Sequence, residues 1–241
     1  ISTIAAVFAL ASCDKDAPVT QSTAPNVAPP APPTPAPVAP EAREEAPEII
    51  VDHTSVAVGK DRVPLGQPGL ADRVGALLAG RPGVAGQAVD FVVMRDAKPS
   101  SVEAVLDALR LAKARGARVK SEARDGTTVP VSLSFAPDVA DCTAVAWIAK
   151  DAAIHVWAAG GGAAKRVVRG LAGPDMTLGL AALRERWERC AASEMVVGGD
   201  DAMTWGVVFD LTESALTAPS ARVNAAILVT GAMPSRKVRL P

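Results

Sequence analysis

The chain's supply of imidazole and thiol groups is two histidines and three cysteines. His53 and His155 sit in separate β-type runs, and Cys13, Cys142 and Cys190 are far apart, so no metal-ligand spacing is present. No G-x-S-x-G or other Ser/His/Asp context occurs. The three glycines at 160–162 precede Lys165 but lack the G-x-x-x-x-G-K-[ST] spacing of a phosphate loop, and they read as a flexible turn. We therefore expect no catalytic residue, no metal and no cofactor. Two carboxylates are more suggestively placed. Asp96 and Asp201 each stand between a strand-like run and a helix start, where ligands often bind and where a carboxylate also suits the positive end of a helix. Arg110, Lys113, Arg115, Arg118, Lys120 and Arg124 gather in one stretch. They read either as a contact for anionic lipid headgroups or cell-wall polymer, or as a solvated face.

The cysteines point to export. Residues 1–12, ISTIAAVFALAS, are apolar and uncharged and lead to Cys13, in the order of a signal-peptide core, small residues and a lipid-accepting cysteine. Such a run is too short to span a bilayer, which takes ~20 residues as a helix. The ending Leu10-Ala11-Ser12-Cys13 resembles the bacterial lipobox, so Cys13 is the expected lipidation site. Asp14 behind it resembles an inner-membrane retention signal, although the choice of membrane stays open. Removing Cys13 leaves Cys142 and Cys190 as an even pair. An oxidising compartment would permit a disulfide between them, and two buried free thiols are the alternative.

Residues 17–47 hold ten of the chain's twenty prolines and almost no large apolar side chain. Such a segment cannot bury enough surface to fold, and with Cys13 it forms a disordered Pro/Ala-rich tether whose extended reach is ~90 Å. The net charge of −1 gives no general pull toward nucleic acid.

Behind the tether the elements are short and regular. Residues 49–51, 55–58 and 62–65 are β-type runs, and 69–78 is a helix with Leu70, Val74, Leu77 and Leu78 on one stripe. Residues 88–94 form a buried strand. The next helix, ending near Gly116, carries Val102, Val105, Leu106 and Leu109 inward, and Ser100 with Glu103 spells a capping box. Gly116 is its expected left-handed C-terminal residue. Residues 118–122 close this passage as a strand, and 129–135 form a further extended run. Strands at 143–148 and 154–158, helices at 174–187 and 206–216, and strands at 195–197 and 225–230 follow. Both passages read β-β-α-β-α-β, and Asp96-Ala97 aligns without gaps on Asp201-Ala202. The expected fold class is α+β, two tandem β-β-α-β-α-β modules. They occupy 48–124 and 142–233, with a connector at 125–141 and a basic tail at 234–241.

The run Met195-Val196-Val197, then Asp201-Ala202-Met203-Thr204-Trp205-Gly206-Val207-Val208-Phe209-Asp210, then Ile227-Leu228-Val229-Thr230-Gly231 resembles the extracytoplasmic domain of the ExbD/TolR proteins. These belong to proton-driven energy-transducing complexes of the bacterial envelope. Trp205-Gly206 takes the place of the family's aromatic-Gly pair at the helix start. Together with the lipobox at Cys13, the resemblance implies a periplasmic or extracytoplasmic, lipid-anchored, non-enzymatic protein. Its partners would be an inner-membrane energy-transduction complex, a TonB-like protein or peptidoglycan, with Asp96, Asp201 and Trp205 as partner-binding residues. Two modules in one chain could act as an intrachain pseudo-dimer. The family's transmembrane helix carries a proton-handling Asp, and residues 1–12 hold no charged residue, so this chain is not expected to carry protons itself. The alternative is an extracytoplasmic small-ligand-binding or hydrolase domain of similar α+β build.

Overall fold

A computed structural model describes residues 46–219 and 221–240. Cys13 and most of the tether lie outside the described residues. In chain order the first part comprises β1 (Ile49–Val51), β2 (Ser55–Val58), β3 (Asp61–Pro64), α1 (Leu70–Leu78), β4 (Ala88–Val93), α2 (Pro99–Leu111) and β5 (Gly116–Glu122). A strand β6 (Thr128–Leu133) follows. The second part comprises β7 (Ala144–Ile148), β8 (Ile154–Ala158), β9 (Lys165–Val167), α3 (Met176–Trp187), β10 (Glu194–Gly199), α4 (Trp205–Thr217) and β11 (Ala225–Leu228).

All eleven strands join one mixed sheet, in the order β3-β2-β1-β4-β5-β6-β11-β10-β7-β8-β9. This overturns the expectation of two tandem β-β-α-β-α-β modules. The α+β class is compatible with the sheet, but each half is a three-stranded meander followed by α-β-α-β, and the halves are not separate. The extended run after β5, read as part of a connector, is β6. It pairs antiparallel with β5 over six positions and parallel with β11 at Leu133 and Ala226. That pairing supplies partners for backbone groups that two separate sheets would leave open at their edges.

The four helices cover one face. Strand residues alternate, and one set (Val89, Phe91, Val93 and Val119 in the first half; Ala146, Ile148, Met195 and Val197 in the second) packs with Val74, Val105, Leu183 and Leu211 into one core. The helix stripe foreseen in α2 is buried at Val102, Val105, Leu106 and Leu109. Its ends differ from expectation. Lys98 is the N-cap, with no side-chain bond, and Glu103 does not reach back to it. The left-handed residue after the helix is Lys113 (φ 61°), while Gly116 already begins β5.

The opposite face differs between the halves. In the second half Val145, Trp147, Trp157, Val196 and Ile227 form a separate apolar cluster under residues 136–139 and the C-terminal segment with Val238 and Leu240. Trp157 Nε1 donates to the Arg236 carbonyl (2.9 Å), and the Val238 N–H donates to the Ala159 carbonyl (2.8 Å). Gly161 explains the glycine cluster. A Cβ there would lie 3.2 Å from the Lys237 nitrogen and 3.3 Å from the Ser235 carbonyl, and the φ is +98°. The run receives the returning chain as well as turning. Cys142, just past this covering loop and before β7, is bonded to Cys190 beyond α3. In the first half the same face carries Asp90, Arg118 and Lys120, and it is open to solvent.

Candidate functional site: the seam between the halves

β4 begins at 88 and β10 at 194, while α2 begins at 99 and α4 at 205, so the matching elements are 106 residues apart with equal lengths. The identities that aligned Asp96 with Asp201 are therefore one residue out of register. Arg95 is the counterpart of Asp201, and Asp96 is the counterpart of Ala202.

The two strand-to-helix turns face each other across the seam. The Trp205 and Gly206 N–H groups at the start of α4 donate to the carbonyls of Ala97 (2.7 Å) and Arg95 (2.8 Å). In return the Ser100 N–H and hydroxyl at the start of α2 donate to the Asp201 carboxylate, at 3.0 and 2.6 Å. Each helix start thus has donors satisfied by the other half, which is why the local capping box is not used. Glu103 instead accepts from the Thr230 N–H at 2.9 Å and from its hydroxyl.

Below this exchange lies a charged latch. Asp210, 6 % exposed, is held by Arg95 at 2.8 Å and by Arg124 at 2.8 Å. Arg95 also donates to the Glu122 carbonyl and the Gly206 carbonyl. The hydrogen bond to Asp210 holds the Arg95 guanidinium above its ordinary pKa, against the opposing effect of its own burial. Gly206 makes this approach possible. A Cβ at that position would lie 2.9 Å from Arg95 Nε and 3.0 Å from Arg95 Cβ. The glycine of the aromatic-Gly pair is needed for packing across the seam.

Of the expected partner-binding residues, Asp201 is occupied by Ser100. Trp205 lies wholly in the core, packed at a ring-centroid distance of 6.0 Å from Phe209. Its side chain is not presented to a partner. Asp96 is exposed and paired with His53 Nδ1 at 2.9 Å. The basic stretch is not one patch either. Arg124 serves the latch, and Arg118 and Lys120 meet Asp90 at 2.6 and 2.9 Å. Burial works against the Asp90 charge, yet those two partners bring its pKa below the ordinary value. Arg110 pairs with Asp107 at 2.9 Å and lies over the Phe135 ring. Lys113 and Arg115 stay in the exposed turn before β5.

Beside the seam an open groove of ≈ 570 Å³ runs between the starts of α1 and α2, with His53, Gln67, Lys98, Ser101 and Asp201 among its lining. Asp52 near its mouth forms a tight turn. Partial burial opposes its charge, but hydrogen bonds from Thr54 and Ser55 bring its pKa down to about 2. Among the described residues no group of three or more His, Cys, Asp or Glu side chains is placed to hold a metal ion. No described helix is long and apolar enough to cross a membrane.

Arg95, Asp210 and the Glu103–Thr230 contact are what residue-by-residue reading missed. One signal was available: Asp210 interrupts the apolar run Val207-Val208-Phe209-Asp210-Leu211. A carboxylate in such a run is buried and must be partnered. No protein-family model, curated protein or solved structure matches the chain.

Proposed function

We propose that this chain is a non-enzymatic, lipid-anchored envelope protein that binds a partner protein or the cell wall in energy transduction or biopolymer transport. The observation that carries this reading is the use made of the signature residues. Asp201 binds Ser100, Trp205 is core, and Gly206 lies against Arg95, so the stretch resembling ExbD/TolR proteins builds the junction between the halves. That suits a scaffold that holds two binding halves in fixed relation. The partner would be an inner-membrane energy-transduction complex, a TonB-like protein or peptidoglycan. Pulldown of the lipid-modified protein from membranes, together with sedimentation on purified cell wall, tests the proposal. Recovery of a membrane-complex component or of cell wall supports it, and recovery of neither sinks it.

The groove supports a second reading, a small-ligand-binding domain. It brings together Lys98, the His53–Asp96 pair and Ser101, which is 5 % exposed. A ligand that raises the melting temperature of the wild type but not of Lys98→Ala would favour it over partner binding.

A further inference from the structure

Among the described residues, three of the six exposed large hydrophobic ones fall within one stretch between β9 and the first turn of α3: Val168 at 62 %, Leu171 at 111 % and Leu178 at 55 % exposure. Single exposed leucines are ordinary, but three large exposed apolar side chains within eleven residues of chain mark a candidate contact segment. Leu171 sits at the tip of a turn closed by the Gly170 N–H donating to the Gly173 carbonyl at 2.8 Å. The turn therefore offers an apolar side chain while part of its backbone is already satisfied internally.

Along the chain, the charge leading into the tip has one sign. Residues 164–174, AKRVVRGLAGP, contain no acidic residue. Lys165 and Arg166 are partnered by Glu185 and Asp151, and Arg169, beside the tip, has no ion pair among the described residues. The first acid after the tip, Asp175, accepts the Leu178 N–H as a helix cap.

We infer that this turn is a membrane-contact tip: Leu171, flanked by Val168 and Leu178, enters the interfacial layer of an anionic bilayer while Arg169 meets the headgroups. Size argues for lipid over protein. A stable protein interface buries about 800 Å² on each partner, more than one turn and a few flanking side chains supply. A bilayer surface needs only apolar side chains that reach about 5–10 Å into the boundary with a cation at headgroup level. The Gly170–Gly173 hydrogen bond also reduces the number of backbone groups left to satisfy as the tip approaches hydrocarbon. The contact requires no acylation at Cys13, and it goes beyond the partner-binding reading above.

The test uses the full chain carrying Cys13→Ser, so that with Cys142 and Cys190 bonded an introduced thiol is the only free one. An environment-sensitive fluorophore is attached in Leu171→Cys and, as a control, in Leu111→Cys, which replaces a side chain 66 % exposed at the end of α2. Vesicles of mixed phosphatidylcholine and phosphatidylglycerol should shift the emission at 171 to the blue, with quenching by spin-labelled acyl chains and no change at 111. Arg169→Glu should lower the vesicle-bound fraction several-fold. The inference is overturned if the probe at 171 stays aqueous, or if both positions respond alike. It is also overturned if 171 responds only when envelope protein is added, which would place a protein there.

Discussion

The two halves share an order of elements and a helix-covered face, yet their second faces are opposites. In the first half Asp90, Arg118 and Lys120 form a hydrated ladder that needs no cover. In the second, Trp147, Trp157 and Val196 would be exposed without the returning chain, and 229–240 lie over them. A half with one wet face is stabilised mainly by its helices. The other is a three-layer structure whose last layer is the C-terminal segment and a disulfide-bound loop. The same topology can therefore be finished in two ways, and the choice is written in the outward-facing positions of each strand.

The comparison breaks most readily at the sealed face. Trp157→Ala should lower stability by about 3–5 kcal/mol in urea unfolding, because it empties the layer under the strap and strands the Arg236 carbonyl. An effect below ~1 kcal/mol would mean that the strap adds little. The latch joining the halves is next. Asp210→Asn leaves Arg95 and Arg124, whose side chains are partly exposed, facing a neutral amide, and a loss of about 1–3 kcal/mol is expected. Both halves should still unfold in one transition, and two resolved transitions would show that the halves melt independently.

Reduction of Cys142–Cys190, or Cys190→Ser, releases the covering loop and should cost about 2–4 kcal/mol, read as a lower melting temperature in reductant. The acid limb of stability concerns the first half. The Asp52 pKa is depressed to about 2, so its contribution is complete above the unfolded value near 4 and is lost as pH falls toward 2. Asp52→Asn should therefore flatten the fall in stability across that window by at most about 2 kcal/mol. The smallest effect lies on the wet face. Arg118→Ala should change stability by no more than about 1 kcal/mol, and less in high salt. A larger loss would show that this face is covered after all.

Much of the local structure was legible in the residues. The stripe Val102, Val105, Leu106, Leu109 placed α2, and the short Val-rich runs placed β4, β7 and β10, because burial periodicity is a local property. Apart from the left-handed residue after α2, which is Lys113 and not Gly116, the errors concern distant partners or register. Ser100 and Glu103 spell a local cap, but Asp201 and Thr230, more than a hundred residues away, compete for them and win. Asp96 and Asp201 look equivalent because Asp-Ala recurs, whereas equal element lengths shift the register by one. β6 was visible as an extended run, but nothing local says that its second neighbour is β11. The latch was hidden for the same reason. Only Asp210 betrayed itself, by sitting inside an apolar helix face.

β6 also decides what kind of object the molecule is. It is antiparallel to β5 and parallel to β11, so no rotation carries one half onto the other through it. The sheet consequently has a direction, with an outermost strand at one end that includes Pro64 and one at the other that carries Lys165 and Arg166. A pair of identical subunits would present two equal sheet ends. This chain presents two unequal sheet ends, and that inequality is fixed within a single polypeptide.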